Sequence, residues 1–269
     1  MKIIPKKSLG QNFLTDNNII NKIVDIGNID KNDFVLEVGP GTGNLTRAII
    51  KKKPQKIFLI EKDKLLYNKL KNEFQNKVTL FNKVTLFNDD ILKIKEENLS
   101  NEKLIVFGNL PYNIATQILI KWILSSNSNF WYKKLILMFQ KDVAERIIAD
   151  TNTKNYGRLS IISNWNLKIE KHFDVSQNCF YPKPKVESSV LSFVPETKYV
   201  KFKNVNNLET VTRIFFSQRR KMINKPFKKL FNNRNEILNR LNINLNLRPA
   251  NLSKEIYYKI TKEYENLTD

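Results

Sequence analysis

The chain has 269 residues, of which 41% are hydrophobic and 11% aromatic, so it can bury a sizeable core and is not a disordered chain. It carries 46 Lys and Arg against 26 Asp and Glu, a formal net charge of +20. This excess favours an anionic polymer such as nucleic acid as partner, although an AT-rich coding bias also enriches lysine. With one cysteine and one histidine, the chain can form neither an intramolecular disulfide nor a Cys/His zinc site.

The apolar segments are short. The longest runs, such as Leu104–Phe107 and Leu135–Phe139, fall far below the ~20 residues of a membrane span. The segment Met1–Leu14 carries charges and has no apolar centre, so it does not predict a secretory signal. We therefore expect a cytoplasmic protein without membrane segments.

Strand-like and helix-like segments alternate from Phe34 onward. The predicted strands are Phe34–Val38, Ile57–Glu61, Leu104–Gly108 and Leu135–Phe139. The predicted helices that follow them are Asn44–Lys52, Lys64–Phe74, Ala115–Leu124 and Asp142–Ala149. This alternation predicts βαβ units and an α/β fold with a mostly parallel sheet.

The alternation stops after a strand-like segment, Val190–Val194. The remaining residues predict helices over Leu208–Ser217, Phe227–Leu230, Glu236–Leu241 and Lys254–Glu263. They also have a higher density of positive charge than the rest of the chain. We therefore expect two domains, an α/β domain over 1–196 and a small, basic, all-helical domain over 197–269.

The hexapeptide NKVTLF occurs twice in succession, over Asn76–Phe81 and Asn82–Phe87. Because side chains alternate along a strand with a period of two, either copy presents the same face. We expect the copy next to Asp89 and Asp90 to form the strand. The first copy is then displaced into the preceding connection.

A glycine-rich loop follows the first predicted strand. Gly39, Gly41 and Gly43 are three of the chain's seven glycines, a concentration that disfavours an ordinary tight turn. The loop lacks the Gly-Lys-Ser/Thr of a Walker A motif, and Asn44 stands where a dinucleotide fingerprint has its third glycine. It therefore favours a nucleoside without a pyrophosphate, such as S-adenosylmethionine.

Acidic side chains follow the next two strands. Glu61 lies where a carboxylate can accept both ribose hydroxyls, and Asp90 where it can accept from the adenine amino group of the cofactor. Ordinary helix caps or turn residues are the alternative. For Asp89 we expect that alternative role, as a cap or in solvent.

The segment FGNLPYN, Phe107–Asn113, follows a further strand. Pro111 disfavours a helical conformation at Leu110, so the Leu110 carbonyl is free to point into a cleft. Together with the Asn109 side-chain oxygen and the Tyr112 ring, it makes a socket for a planar amine. A simple Asn-x-Pro turn is the alternative, but the position near the glycine loop argues against it.

In this order the motifs resemble those of S-adenosylmethionine-dependent adenine-N6 methyltransferases. Further segments are similar to the KsgA-type family of ribosomal RNA adenine dimethyltransferases, and the likeness runs from about Lys6 to Ile260. These segments are KSLGQNFL (Lys7–Leu14), MFQKDVAERI (Met138–Ile147), YGRLSI (Tyr156–Ile161), FYPKPKVES (Phe180–Ser188) and FSQRRKMINKPFKKLF (Phe216–Phe231).

The resemblance implies a Rossmann-like domain with a mostly parallel seven-stranded sheet and a small all-α C-terminal domain. It also implies dimethylation of two adjacent adenines in the 3′-terminal hairpin of small-subunit (16S) ribosomal RNA, with a role in small-subunit biogenesis. The expected partner is the immature small subunit, and the expected state is a monomer.

The resemblance extends the set of candidate site residues. Besides Asn109 and Leu110, the catalytic set includes Tyr112 and Phe180, whose rings would stack on the target base, with core packing as the alternative for Phe180. The expected cofactor-binding residues are Gln11, Asn12, Leu14, Gly39, Gly41, Gly43, Glu61, Lys62, Asp90, Ile91 and Asn109. The local density of positive charge and the net charge of +20, rather than the resemblance, give the expected RNA-binding residues, for which a solvated surface is the alternative. They are Arg146, Lys183, Lys185, Arg219, Arg220, Lys221, Lys225, Lys228 and Lys229.

Three other functions are alternatives to a KsgA-type dimethyltransferase. An Erm-type enzyme, acting on large-subunit (23S) RNA, usually has an Asn-Ile-Pro-Tyr motif and lacks the Leu-Gly of Ser8–Phe13. A catalytically silent assembly factor would have a broken glycine loop or a lost Asn-Leu-Pro-Tyr, and neither is broken here. A DNA adenine methyltransferase usually has Asp-Pro-Pro-Tyr, so Asn109 disfavours it.

Overall fold

The computed structural model describes residues 5–6, 9–75, 83–125, 129–231 and 234–268. Within these ranges the chain forms two compact units. The first contains the described parts of 1–118 together with Phe130–Ala144 and Ile169–Pro195. The second contains the described parts of 119–129 and 196–269 together with Glu145–Lys168. No helix in these ranges is both long and apolar enough to cross a membrane.

Nine strands form two sheets in the described residues. A two-stranded sheet pairs β1 with β8, and a seven-stranded sheet has the order β4-β3-β2-β5-β6-β9-β7. Strands β2 to β6 of this sheet pair with one another in parallel, whereas β9 pairs antiparallel with β6. The strands are β1 (Phe13–Leu14), β2 (Phe34–Val38), β3 (Lys56–Ile60), β4 (Val84–Phe87), β5 (Leu104–Gly108), β6 (Tyr132–Gln140), β7 (Leu167–Val175), β8 (Phe180–Tyr181) and β9 (Ser188–Pro195).

Helices connect the strands and make up most of the C-terminal region. In the described residues they are α1 (Asn17–Ile26), α2 (Asn44–Lys51), α3 (Lys64–Leu70), α4 (Tyr112–Ser125), α5 (Lys141–Ile147), α6 (Arg158–Ser163), α7 (Asn206–Phe216), α8 (Asn224–Leu230), α9 (Arg234–Leu241) and α10 (Lys254–Thr268). A π-helical turn, Lys71–Gln75, extends α3. Short 3-10 turns lie at Glu96–Asn98, Gln177–Cys179 and Pro249–Asn251.

The sheet brings distant loops to one edge. Strand β2 lies between β3 and β5, with Val38 opposite both Ile60 and Gly108. Because all three strands are parallel, the residues that follow them meet at their carboxyl ends. The chain order reverses direction across the sheet at β2, and this is where open α/β sheets bind ligands.

The mostly parallel seven-stranded sheet and the Rossmann-like class expected from the sequence are confirmed. The second NKVTLF copy forms β4, as predicted, while Asn76–Phe81 and Asn82 lie outside the described residues. Helices α1 and α6 and strand β7 were not predicted.

The two compact units do not coincide with a single cut at residue 196. The segment Glu145–Lys168 groups with the C-terminal helices because its side chains contact them. The Tyr156 hydroxyl donates to the Leu252 carbonyl over 2.9 Å, and the Trp165 ring stacks on Phe202 with centroids 5.1 Å apart. The functional assignment of the two expected domains stays a prediction.

Candidate active site

A cavity opens at the carboxyl edge of β2, β3 and β5. Its walls are the glycine loop, the residues that follow β3, β4 and β5, and the N-terminal segment, which we define as Leu9–Leu14. Twelve of the predicted site residues line it: Gln11, Asn12, Leu14, Gly39, Gly41, Glu61, Lys62, Asp90, Ile91, Asn109, Leu110 and Tyr112. The fold thus assembles residues from nearly the first half of the chain into one site.

The glycine loop is shaped by close approaches. Gly41 has φ +59°, and a Cβ there would lie 2.9 Å from the Phe13 ring. Gly43, with φ +82°, precedes α2, and a Cβ there would lie 3.0 Å from Leu70. Gly41 therefore lies at the cavity wall beside the N-terminal segment, whereas Gly43 packs behind the loop and is not among the described cavity-lining residues.

Glu61 braces the glycine loop. One carboxylate oxygen accepts from the Gly41 backbone N–H over 3.0 Å, and the other from the Asp63 N–H over 2.8 Å. The side chain is buried, and this burial raises the pKa of Glu61. A carboxylate has about four lone-pair sites, so Glu61, which lines the cavity, keeps acceptor capacity beyond these two bonds. Its expected bonds to ribose hydroxyls stay a prediction.

Asp90 is held by a lysine that was also predicted. Its Oδ2 lies 2.8 Å from the Lys62 Nζ, and this bond lowers the pKa of Asp90. The other oxygen accepts from the Leu92 N–H over 3.1 Å. Asp89 accepts from the Asp90 N–H over 2.7 Å and also lines the cavity, and its expected role as a cap or in solvent stays a prediction. Asp90 thus presents an ionised acceptor at the rim, while its bond to a cofactor amino group stays a prediction.

The segment after β5 presents acceptors toward the cavity. The Asn109 Nδ2 donates to the Asn12 carbonyl over 3.0 Å. The Pro111 carbonyl accepts from Ile114 and Ala115, and among the described residues no backbone N–H is donated to the Leu110 carbonyl. The Asn109 Oδ1 and the Leu110 carbonyl are therefore the acceptors that this segment can offer to an amine.

Tyr112 lies at the start of α4. Its hydroxyl forms a 2.6 Å hydrogen bond with the Ser188 Oγ at the start of β9. Partial burial raises the pKa of Tyr112, so the phenol is neutral at physiological pH. The bond fixes the ring next to the Asn109 and Leu110 acceptors.

The N-terminal segment is tied across the cavity by polar contacts. The Asp63 carboxylate accepts from the Gln11 Nε2 over 3.0 Å and pairs with the Lys6 Nζ at 3.0 Å. The Asn44 Nδ2 donates to the Leu14 carbonyl over 2.8 Å. The Gln11 side chain is thus engaged with the protein itself. Lys7 and Ser8 of the KSLGQNFL motif lie outside the described residues.

Glu37 lines the cavity and Thr46 bonds to it from behind, and neither was among the predicted site residues. The Thr46 Oγ1 donates to the Glu37 Oε2 over 2.6 Å, and both side chains are buried. Burial raises the pKa of Glu37 to about 8. The available signal was an acidic residue just before the glycine loop, since Glu37 precedes Gly39 in FVLEVGPGTG.

Phe180 is buried within the core and is not among the described cavity-lining residues. Strand β8 pairs with β1, and alternation along the strand turns Phe180 inward and Tyr181 outward. This arrangement corresponds to the packing alternative for Phe180. Stacking of its ring on a target base stays a prediction.

The predicted RNA-binding residues lie in both compact units. Lys183 and Lys185 are exposed between β8 and β9 of the first unit, and Arg146 is exposed on α5 in the second. Arg219, Arg220 and Lys221 are exposed in the turn before α8, where Arg219 also donates to the Lys154 carbonyl. Lys225, Lys228 and Lys229 are exposed on α8, whose opposite face buries Phe227.

The cavity fits S-adenosylmethionine. The carboxylates of Glu61 and Asp90 suit hydroxyl and amino groups, Ile91 offers an apolar surface for a base, and the glycine loop admits close approach of a ligand. The sequence has no Walker-type loop for a phosphate. Among the described residues Lys62 is the lysine that lines the cavity, and it is paired with Asp90. The fold and this site define an S-adenosylmethionine-dependent methyltransferase.

Sequence comparisons give the family. The model of the family described as ribosomal RNA adenine dimethylase matches residues 5–266, and this chain belongs to that family. A protein of Pelagibacter ubique (strain HTCC1062) called ribosomal RNA small subunit methyltransferase A is 52% identical over 267 residues, covering 99% of each chain. One of the same name from Ehrlichia ruminantium (strain Gardel) is 43% identical, over 93% of this chain and 94% of its own.

Solved structures agree with the fold. A dimethyladenosine transferase from Plasmodium falciparum superposes with a TM-score of 0.79 at 25% identity, covering 94% of this chain and 98% of its own. The 23S rRNA methyltransferase ErmE superposes with a TM-score of 0.68 at 20% identity, covering 94% and 99%. At that identity the likeness to ErmE concerns the fold alone.

Proposed function

We propose that this chain transfers methyl groups from S-adenosylmethionine to N6 of two adjacent adenines in the 3′-terminal hairpin of small-subunit ribosomal RNA. The observation that carries the proposal is the orientation of Asn109, whose amide nitrogen is bound to the Asn12 carbonyl while its oxygen is left for the target amine. The full-length similarity to small-subunit methyltransferases supports this substrate over large-subunit RNA.

Bound S-adenosylmethionine supplies an electrophilic methyl group on a sulfonium. The residues of the chain position the acceptor. The adenine amine is a weak nucleophile because its lone pair is delocalised into the ring. Hydrogen bonds from N6–H to the Asn109 Oδ1 and the Leu110 carbonyl favour a tetrahedral nitrogen with a localised lone pair. A neutral amine needs no general base before attack, in keeping with a site that lacks histidine among its described lining residues.

The target base must leave its stack to enter this site. Tyr112, held by Ser188, offers a ring against which the base can stack. The first transfer forms the N6–CH3 bond as the S–CH3 bond of the sulfonium breaks, and the methylated nitrogen then releases one proton to water. The amine keeps one N–H, so it can still donate to one of the two acceptors. The same site therefore serves both transfers, and the product is N6,N6-dimethyladenine.

The exposed basic residues extend the proposal to RNA binding. Phosphate contacts supply most of the affinity of proteins for nucleic acid, and the formal net charge of +20 suits them. We assign this role to Arg146, Lys183, Lys185, Arg219, Arg220, Lys221, Lys225, Lys228 and Lys229. The substrate is the immature small subunit in the cytoplasm, and the enzyme acts as a monomer in small-subunit biogenesis.

Methyl transfer to undermethylated small ribosomal subunits tests the proposal, with large subunits as the paired substrate. Radiolabel from S-adenosylmethionine measures transfer, and mass spectrometry locates and counts the methyl groups. We expect dimethyladenine in small-subunit RNA. Label confined to large-subunit RNA would assign the chain to Erm-type chemistry. Cofactor binding without transfer to either subunit would favour a catalytically silent assembly factor.

A further inference from the structure

Tyr181 is a large exposed aromatic side chain next to the candidate active site. Its exposed fraction is 57%, whereas that of its neighbour Phe180 is 4%. Among the described residues no aromatic ring or cation packs on the Tyr181 ring, so the packing of the protein does not account for it.

Pairing with a cavity-lining strand fixes the position of Tyr181. Tyr181 pairs with Phe13 across the β1–β8 sheet, and the Phe13 ring packs against Gly41 of the glycine loop. The adjacent Thr15 N–H donates to the Cys179 carbonyl over 2.8 Å, which secures the pairing. Tyr181 therefore lies one strand away from the cavity wall.

The loop that follows Tyr181 leads back to the candidate active site at its C-terminal end. We call residues 182–187 the β8–β9 loop. It is followed by Ser188, the first residue of β9, whose hydroxyl bonds to Tyr112. Tyr112 is the residue that faces the target base in the proposed function. Pro184 is buried, and the Gln177 Nε2 donates to the Lys185 carbonyl over 2.8 Å. The loop is thus anchored at both ends and in the middle.

The β8–β9 loop is positively charged on its exposed side. Lys183 and Lys185 are exposed, and Val186 is 40% exposed. The acidic residue of the loop, Glu187, is paired at 2.8 Å with the Lys141 Nζ, which also lies 3.2 Å from Asp174. An exposed ring followed by exposed lysines is the combination that binds unpaired nucleotides, since the ring stacks on a base and the lysines contact phosphates.

We propose that Tyr181 stacks on the base of a nucleotide flanking the target adenine, while Lys183 and Lys185 contact the phosphates of that strand. This inference rests on the proposed function and adds a residue that holds the RNA beside the site. An adenine drawn into the socket leaves its neighbours unstacked, and the Tyr181 ring replaces one of the lost stacking contacts. The role is one of substrate positioning, with no part in the methyl transfer itself.

The test compares Tyr181→Ala, Tyr181→Phe and the control Leu65→Ala, which removes another exposed apolar side chain. Steady-state transfer to undermethylated small subunits gives KM and kcat, and calorimetry gives the affinity for S-adenosylmethionine. We expect Tyr181→Ala to raise the KM for subunits on the order of tenfold, with kcat and cofactor affinity unchanged. Tyr181→Phe and Leu65→Ala should behave as the unaltered protein.

A fluorescence measurement tests stacking without relying on activity. A 3′-terminal hairpin RNA carrying 2-aminopurine beside the target adenine should be quenched on binding the unaltered protein and Tyr181→Phe, and much less by Tyr181→Ala. Equal quenching by all three, or an unchanged KM for Tyr181→Ala, would overturn the inference. Failure of the proposed function would look different, because the unaltered protein would then transfer no methyl group to small subunits.

Discussion

The side-chain amide nitrogen of Asn109 donates to the backbone carbonyl of Asn12, with 3.0 Å between the two atoms. Asn12 belongs to the N-terminal segment and Asn109 follows β5, so the bond joins parts of the chain that are distant in sequence. Since the nitrogen faces Asn12, the amide oxygen faces away from it. The N-terminal segment thereby sets which end of the Asn109 amide is offered to a substrate amine.

Replacing Asn109 should therefore abolish transfer with little effect on binding. We expect Asn109→Ala to lower the single-turnover rate of methyl transfer by about 100-fold or more, because misplacement of a reacting group carries a cost of that order. Filter binding should give an RNA affinity close to that of the unaltered protein. Asn206→Ala, at an exposed position of α7, is the control. Retained transfer in Asn109→Ala would show that another group accepts the amine.

Gly41 should tolerate no side chain. Gly41→Ala places a Cβ 2.9 Å from the Phe13 ring, at a φ of +59° that costs an alanine roughly 1–2 kcal/mol. We expect a loss of unfolding free energy of at least this size and a weaker affinity for S-adenosylmethionine, measured by denaturation and calorimetry. Gly157→Ala is the matched control, because its nearest neighbour is 3.8 Å from the new Cβ. Equal effects of the two substitutions would contradict this account of the loop.

Much of the fold followed from pattern. The alternation of apolar strands with amphipathic helices is a local property, and it predicted β2, β3, β5 and β6 and their order of connection. The position of the second NKVTLF copy next to Asp89 and Asp90 predicted β4. Helix α1 was missed although Asp16 caps its first turn, with its carboxylate 2.8 Å from the Asn18 N–H. This capping signal and the apolar periodicity after it precede Phe34, where the alternation of strands and helices starts.

The sequence predicted which residues lie at the site better than it predicted the hydrogen bonds between them. Motif order placed Glu61, Asp90 and Asn109 at one sheet edge, where the structure has them. The hydrogen-bond partners of these residues could not be predicted. The Gly41–Glu61 and Asn12–Asn109 bonds depend on the conformations of loops that are distant in sequence, which the motif pattern does not specify. The burial of Phe180 likewise depends on its pairing with Leu14, which no local pattern specifies.

Because of Glu37, the free energy of unfolding should fall as pH rises. Its pKa in the folded protein is raised from 4.5 to about 8, so between these values the folded state holds a proton that the unfolded chain has released. The stability from this group is therefore full below pH 4.5 and lost as pH rises through about 8. Glu37→Gln, which keeps an acceptor for Thr46, should remove that loss.

Denaturant titrations across this pH range, without cofactor, measure the effect. The unfolding free energy of Glu37→Gln relative to the unaltered protein should increase steadily toward the upper end of the range. Glu102→Gln, at an exposed position, should show no such trend. Parallel curves for Glu37→Gln and the unaltered protein would mean that Glu37 is ionised throughout.

Asp63 should control the N-terminal segment. Its carboxylate holds both Gln11 and Lys6 at 3.0 Å, and also caps α3 through the Leu65 N–H at 2.9 Å. We expect Asp63→Ala to weaken the affinity for S-adenosylmethionine, since residues lining the cavity lose their anchor. Asp63→Asn, which retains an oxygen for the cap, should lose less. Asp25→Ala breaks an exposed ion pair with Lys52 and should leave the affinity unchanged, as calorimetry can establish.

The lysines of α8 should contribute to RNA affinity through counterion release. Replacing Lys225, Lys228 and Lys229 together by Gln removes three exposed charges from a helix whose apolar face stays intact. Each lost phosphate contact lowers the dependence of log K on log salt by about 0.7–0.9, so we expect a slope shallower by about 2 to 3. The control replaces Lys31, Lys51 and Lys64, which are exposed in the first unit. If both triple variants shift the slope equally, the positive charge acts as a diffuse field and α8 has no special contact with RNA.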